Sequence, residues 1–582
     1  MKKDSDASQK KPTSSVEPFY PDEIVLRRLP PQGVKLDANV YVKMRDGVKV
    51  AVDIYSPVAK GRYPAILSMS PYLKEIQQQP PEYSHFIEAA ATDFYVPKGY
   101  VHVIAQIRGS GFSQGQYNFW DIVEQRDGYD LVEWIAQQPW CNGNVGMMGL
   151  SYFAMIQWLV AAQKPPHLRC IVPVNGMTDF YRGFMYPGGT LRSGFVAPLA
   201  AAMISMCVWP GPVDGKLPPA NFFADLASHP EDGPYYWERS GWTKLDDIDI
   251  PVLNVVVQLN FIHSCSQLDS HSRLKGPKKL LVVPPAGWFS HLQFLRNRPF
   301  NEQILRWLDH WLKGIDTGIM DEPPVAIYDT GKEEWRYENE YPLARTEWKK
   351  FYLHSSSKGP ATEPPYGLIS TEPPGREEPD RYVSPESISL LREGKPVLTY
   401  ATPPLDADIT VWGPLGTVIY GSSTGLDTTW FVKLRDVGPD GKVTLLSQGN
   451  LKASYREVDK GKSKPGQPFH QFQNPVLLEP DTVYEFQIEM VPIFYTFKKG
   501  HRIWVHIASD DPSFYAQFHL LPIHAENTIY HDKTYPSHLV LPVIPDAPVV
   551  KSVGPPLSEI NWTVIPGTGT PFAPFFTGTP HT

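Results

Sequence analysis

Val145-Gly-Met-Met-Gly-Leu-Ser-Tyr-Phe-Ala-Met-Ile-Gln-Trp-Leu-Val160 is the stretch on which the fold turns. Its first six residues are an apolar run with strand character. Residues 152–163 read as a helix, halted by Pro165-Pro166. A buried strand feeding a helix through one tight turn is a unit of a parallel sheet. The same alternation extends outward on both sides. Upstream lie the apolar runs Tyr63–Ser70 and Val101–Ile107, then a helix with Tyr129, Val132, Ile135 and Ala136 at helical spacing, closed by Pro139. Downstream lie Cys170–Val174, Ile250–Val257, Lys279–Val283 and a helix that puts Ile304, Leu305, Leu308, Trp311 and Leu312 on one face. This predicts an α/β core with a mostly parallel sheet covered on both faces.

Three other regions have different textures. Apolar and polar residues alternate on both sides of Asp46-Gly47, a strong hairpin signal. Between residues 181 and 245 the strand–helix alternation stops, and a largely helical insertion, a cap, is expected. Beyond about 321 the long helical patterns disappear. Ile409–Trp412, Thr429–Leu434, Val483–Ile488 and Arg502–Ile507 read as short strands, with turns at Asp440-Gly441 and Lys499-Gly500. Strands of this kind predict a β-sandwich, a jelly roll, over 321–582. The core then comprises 19–180 and 246–320, and the polar residues 1–18 read as a disordered arm.

Composition narrows the function. The 582 residues carry 54 Lys and Arg against 62 Asp and Glu, a formal charge of −8, with no long basic run. Nucleic acid is therefore not an expected partner. No apolar stretch is long enough for a membrane-spanning helix, and the N-terminus lacks the apolar centre of a secretory signal. No membrane association is expected, and a cytoplasmic location is. Cys141, Cys170, Cys207 and Cys265 form no CxxC pair and read as buried reduced thiols rather than a disulfide framework or a zinc site.

Ser151 is the sharpest chemical candidate. A nucleophilic serine needs a turn that projects its oxygen from the sheet edge, where a helix N-terminus offers amides to developing negative charge. The G-x-S-x-G pattern is incomplete because Phe153 holds its fifth position, although Gly149 and Ala154 leave room for the turn. A serine opening a helix is also a common N-cap. The strand directly before this one favours the nucleophile.

With these residues the chain resembles the family of serine hydrolases that includes cocaine esterase, X-prolyl dipeptidyl peptidases and α-amino-acid ester hydrolases. Besides Gly149–Tyr152, the resemblance rests on Met44–Gly47, Ser70-Pro-Tyr72, Arg108–Gly115, Glu133–Gly143 and Asp427–Val437. It implies an α/β-hydrolase core, a helical cap and a C-terminal jelly roll. It also implies an ester- or amide-cleaving enzyme that works through an acyl-enzyme. By position, Ser151 is the nucleophile, His291 the base, and the Tyr152 amide and Tyr72 hydroxyl the oxyanion donors.

The resemblance breaks at the third triad member. The family's aspartate position falls on Asn260, and asparagine in place of that aspartate costs a serine protease about 10⁴ in turnover by selecting the wrong histidine tautomer. Three readings follow: another acid substitutes, Asp179 before Asp269; Ser151–His291–Asn260 is a slow or specialised triad; or the site carries out acyl transfer, rearrangement or lyase-type chemistry, or only binds a small molecule. Gln106 is a second departure, where the family often has aspartate.

Weaker features complete the expectations. Phe184, Tyr186, Trp209, Tyr235 and Trp237 are candidates to line a substrate pocket, and they could equally form the cap's own core. The Arg108–Gly115 loop lacks the phosphate-binding G-x-x-x-x-G-K-[ST] pattern and reads as a structural turn. His501, His506, His519 and His524 show no metal-ligand spacing. No metal or other cofactor is expected. The expected partner is a small-molecule substrate, and association into a homo-oligomer is left open.

Overall fold

The computed structural model describes residues 30–78, 87–259, 264–285, 297–355, 367–384, 398–509, 525–546, 550–552, 554 and 557. The N-terminal arm expected at 1–18 lies outside them.

The first layer is a ten-stranded sheet. Its strands are β1 (Val34–Lys43), β2 (Lys49–Pro57), β3 (Tyr63–Ser70), β4 (Val101–Gln106), β5 (Cys141–Leu150), β6 (Leu168–Val174), β7 (Val252–Val257), β8 (Lys278–Val283), β9 (Val325–Asp329) and β10 (Glu334–Glu338). Their order is β1-β2-β4-β3-β5-β6-β7-β8-β9-β10. From β4 to β9 neighbouring strands run parallel. The hairpin β1–β2 and the edge strand β10 are antiparallel. The Asp46-Gly47 turn joins β1 to β2, with Gly47 at φ 92°, a conformation open to glycine at little cost.

Helices α1 (Ile122–Ala136), α2 (Tyr152–Ala162), α3 (Ser193–Val208), α4 (Phe222–Ser228), α5 (Pro234–Arg239), α6 (Ser264–Arg273) and α7 (Arg298–Leu308) surround it. The period of two along the strands decides what each helix meets. Met147 faces the cluster that holds Leu131, Val132 and Ile135 of α1 and Trp158 of α2. Met148 and Leu150 face Phe300, Ile304, Trp307 and Leu308 of α7 on the other side. A central strand with apolar residues on both faces is why residues 145–150 read as a continuous run rather than an alternation. Arg108 pins the glycine-rich loop after β4: it forks onto both Asp127 oxygens at 2.6 Å and reaches Asp46 at 2.9 Å.

Between β6 and β7 the chain forms a π-helical turn at Tyr181–Met185 and then α3, α4 and α5. Beyond β10 come β11 (Glu347–His354), β12 (Gly367–Ser370), β13 (Asp380–Val383), β14 (Leu398–Ala401), β15 (Ile409–Ser423), β16 (Thr429–Val437), β17 (Val443–Lys452), β18 (Tyr484–Phe497), β19 (Arg502–Ala508), β20 (Glu526–Ile529) and β21 (His538–Val543). These eleven strands share one hydrogen-bonded system. The path β15-β18-β17-β16-β19-β14-β12-β11-β21 returns to β15, so the sandwich closes on itself. The long strand β15 serves three partners, β18, β20 and β21, and carries a bulge between Gly413 and Leu415 in its pairing with β18.

β9 and β10, at 325–338, pair with the edge of the first sheet and not with the sandwich. Two short strands carry no mark of which sheet edge they join, and that edge is set by long-range pairing with β8. Asp329 at the end of β9 then ties the two layers together, accepting from Trp412 Nε1 and the Thr496 amide at 3.1 Å each.

Candidate functional site

Ser151 sits between β5 and α2 with φ 57° and ψ −118°, a backbone conformation that a non-glycine residue rarely adopts. Neighbours on three sides hold it there. The Leu150 amide donates to the Glu88 carbonyl at 3.0 Å, the Ser151 amide to the Val174 carbonyl at 3.2 Å, and the Ala154 amide back to the Ser151 carbonyl at 2.8 Å. Gly149 has φ 155°, and a Cβ there would collide with the Phe153 side chain; a Cβ on Gly176 would strike Ala154. Three small residues thus make room for the turn, and Phe153 in the motif's fifth position is accommodated by Gly149. Ser151 occupies the N-cap position of α2, yet its side chain makes no capping hydrogen bond. The side chains of Tyr72 and Glu88 lie close enough to interact with it.

Tyr72 follows β3 and is buried. Its ring meets Tyr152 and Phe153 edge-on at 5.8 and 6.0 Å between centroids. Burial, then the Glu88 carboxyl, pushes its phenol well above the usual 10, so it remains a hydrogen-bond donor. The hydroxyl of Tyr152 donates to both oxygens of Glu124 at 3.0 Å, and the Trp120 amide donates to Glu124 at the same distance. Burial, then Asp121, pushes the Glu124 carboxyl up to about 8. Locking the Tyr152 ring fixes the first residue of α2, and with it the amide next to the nucleophile.

Asp179 lies beyond β6 in another network. Its Oδ1 accepts from the Tyr181 and Arg182 amides at 3.0 and 2.9 Å, and its Oδ2 pairs with Arg182 at 3.3 Å. Arg182 continues to Asp232 at 2.7 Å and to the His470 carbonyl of the sandwich at 2.9 Å. Asp269 on α6 pairs with Lys464 at 2.9 Å. Ser151, Tyr72 and Tyr152 come together in the structure. Asn260 and His291 lie outside the described residues.

The five aromatic candidates divide. Phe184 packs on Trp120, which packs on Tyr152, at 5.9 and 4.6 Å between centroids, a continuous path to the elbow. Tyr186 stacks on Tyr181 at 5.2 Å inside the cap, its hydroxyl donating to the Leu226 carbonyl. Tyr235 is sandwiched by His229 and Arg239. Trp209 and Trp237 are 37% and 42% exposed, too open to form the floor of a pocket on their own.

Two residues escaped the sequence reading. Glu124 stands three after Asp121, which caps α1 by accepting from the Val123 and Glu124 amides, so a D-x-x-E capping signal was present. Glu88 had no signal: it precedes no periodic segment, and only the tertiary fold brings it to Ser151.

With this geometry established, comparison with known proteins is informative. Residues 46–286 match the X-Pro dipeptidyl-peptidase (S15 family), and residues 317–540 match the X-Pro dipeptidyl-peptidase C-terminal non-catalytic domain. The cocaine esterase of Rhodococcus sp. (strain MB1 Bresler) is 27% identical, covering 87% of this chain and 98% of its own. A putative Xaa-Pro dipeptidyl-peptidase from Bacillus cereus is 22% identical, covering 82% and 86%. A CocE/NonD family hydrolase from Staphylococcus aureus shares the fold with a TM-score of 0.77 at 23% identity, covering 88% of this chain and 94% of that one. The chain belongs to the cocaine esterase and X-Pro dipeptidyl-peptidase family of serine hydrolases.

Against that family's pattern, the Gln106 departure has a local reason. Lys74, wholly buried, pairs with both Asp53 and Glu75. Gln106 donates to Glu75 at 3.0 Å and accepts from the Phe112 amide at 3.0 Å. An aspartate there would put a third carboxylate around one buried ammonium, and glutamine supplies the donor that Glu75 needs. No helix among the described residues is long and apolar enough to cross a membrane.

Proposed function

We propose that this family member is an esterase or amidase of α/β-hydrolase architecture, with a helical cap around 181–245 and a jelly-roll sandwich, acting on a small molecule through an acyl-enzyme on Ser151. The observation that carries the proposal is the strained, non-capping Ser151 turn with the buried Tyr72 packed on Tyr152 beside it. Ser151 Oγ attacks the carbonyl carbon. His291 takes the hydroxyl proton and returns it to the leaving group. The Tyr72 hydroxyl and the Tyr152 amide receive the oxyanion. Phe184 belongs to the wall nearest the acyl group, and Tyr186, buried within the same region, supports that wall from behind.

A second reading rests on Asn260 alone. A triad without its aspartate favours chemistry that demands less of the histidine, such as transfer of the acyl group, a rearrangement, or binding without turnover. Asp179 is the alternative acid, although its carboxylate is already committed to Arg182 and two backbone amides.

Fluorophosphonate labelling tests the proposal. Rapid modification at Ser151, lost in both Ser151→Ala and His291→Ala, is the expected result. A folded parent protein that takes no label would retire the acyl-enzyme and leave binding or non-hydrolytic chemistry.

A further inference from the structure

β5 lies between β3 and β6, and its two neighbours part company as it nears the nucleophile. On the β6 side the pairing continues through Gly149–Pro173 and Leu150–Val174. On the β3 side the register runs to Leu67–Met147, and the Ser68 hydroxyl donates to the Met148 carbonyl at 2.8 Å. Past that point residues 88 and 89 take the place of β3. Ala89 bridges to Gly149, and the Glu88 carbonyl accepts from the Leu150 amide at 3.0 Å. The two strands fork, and a short backbone wedge stands between the end of β5 and the loop after β3 that carries Tyr72.

A side chain holds the outer edge of that wedge. Gln77 is wholly buried, and its Oε1 accepts from the Glu88 and Ala89 amides at 2.9 and 3.0 Å. Its Nε2 donates to the Leu73 carbonyl at 3.3 Å. Two N–H donors at one end and a carbonyl at the other admit one orientation of the amide. Leu73 and Gln77 belong to the turn that begins at Tyr72, where the Ile76 amide donates to the Leu73 carbonyl at 3.1 Å. The order across the fork is thus the Tyr72 turn, the Gln77 amide, residues 88–89, Gly149-Leu150 and Ser151.

An oxyanion donor works only within hydrogen-bond reach of the developing charge, and a misplacement of about 1 Å can cost about 10² in rate. The edge-on contacts of the Tyr72 ring with Tyr152 and Phe153 limit how close the phenol comes to the elbow. They do not limit how far it retreats. The Gln77 bonds tie the Tyr72 turn to the wedge and supply that second limit.

We propose that Gln77 is a positioning residue of the oxyanion hole, the strut that sets the distance between the Tyr72 hydroxyl and the Ser151 turn. The inference rests on the reading of Ser151 as nucleophile and Tyr72 as oxyanion donor. Gln77 acts through Tyr72 and touches no reacting atom.

The test is a double-mutant cycle in p-nitrophenyl acetate turnover: the parent, Gln77→Met, Tyr72→Phe and the pair. Thermal unfolding and fluorophosphonate labelling at Ser151 accompany each, and kinetics are read where all four are folded. Gln77→Met keeps the bulk and removes the acceptor. It is expected to lower kcat about 10- to 10²-fold with KM changed less than about twofold. In the Tyr72→Phe background the same change should cost less than about threefold, because the strut then positions a ring without a hydroxyl. Equal losses in both backgrounds mark a merely structural side chain and overturn the proposal, as does Gln77→Met with the parent's kcat. If Gln77→Met does not fold, Gln77→Asn, which keeps the amide but is one methylene short of the span, goes through the same cycle with the same outcomes. A parent labelled at Ser151 with equal losses leaves the nucleophile standing and removes Gln77 alone. A parent that takes no label, or Tyr72→Phe with unchanged kcat, removes the reading beneath the proposal and the proposal with it.

Discussion

The Tyr152 hydroxyl donates to both oxygens of Glu124 at 3.0 Å, so the residue just after the nucleophile is anchored through its side chain to the first turn of α1. The link crosses the sheet edge between two helices that lie one strand apart in sequence. It makes the geometry of the Ser151 turn depend on a carboxyl that has no part in the bond-breaking.

Glu124 therefore writes a signature into the pH dependence of stability. Its carboxyl titrates near 4.5 when exposed and near 8 in the fold, raised first by burial and then by Asp121. A raised folded pKa means that the folded chain holds a proton the unfolded chain has lost. Stability attributable to this group is full below about 4.5, falls as pH rises toward 8, and levels beyond. Urea midpoints of the parent and Glu124→Gln, measured across that window, should diverge in favour of the variant as pH rises. A constant difference would mean that Glu124 is ionised in the fold.

Tyr72→Phe removes a hydroxyl and leaves the ring that packs on Tyr152 and Phe153. Stability should change by less than about 1.5 kcal/mol, in the range of a neutral hydrogen bond. The expected kinetic loss is about 10²- to 10³-fold in kcat with KM nearly constant, because the lost interaction is made with the oxyanion and not with the ground-state carbonyl. A rise in KM at constant kcat would place Tyr72 in substrate binding instead.

Asn260→Asp installs the carboxylate that the family resemblance leads one to expect at this position. If His291 is the base and lacks only its orienting carboxylate, turnover of simple esters should rise at least about tenfold, a fraction of the roughly 10⁴ that the reverse change costs a serine protease. Activity that stays flat while labelling at Ser151 persists would mean that another acid already serves or that the natural reaction does not need one.

Much of this was legible in the sequence because periodicity and burial are local properties. The run 145–150 announced a central strand because both of its faces are covered, by Met147 toward α1 and α2 and by Met148 and Leu150 toward α7. The serine at its end, and the small residues around it, specified the turn. The pairing of β9 with β8, which carries the first sheet on to residue 338, was invisible because it depends on residues some forty positions apart. The same holds for Glu88, whose place beside Ser151 follows from a bridge to Gly149 across sixty residues. Phe184 and Trp209 looked alike as cap aromatics, and only the fold separates the one that touches the elbow's packing from the one that faces water.

Asp179 can be tested against its two roles at once. As the catalytic acid it would orient the histidine, and Asp179→Asn would cut kcat and leave the fold intact. As the structure places it, Asp179 receives the Tyr181 and Arg182 amides and the Arg182 guanidinium, which also holds Asp232 and the His470 carbonyl. Arg182 further lies over Phe469 and Phe472 at 4.6 and 5.4 Å. Core, cap and sandwich meet on this one side chain. Breaking one partner of a buried ion cluster commonly costs about 3–5 kcal/mol, because the remaining charges stay buried without compensation. Arg182→Ala should lose stability on that scale, and Asp179→Asn a smaller share, since Asp232 still faces the guanidinium. Thermal unfolding of both variants, read beside kcat at a temperature where each is folded, separates the roles. Lower stability with kcat nearly intact keeps Asp179 structural, and a fall in kcat of about 10³ or more at unchanged stability would make it the missing acid.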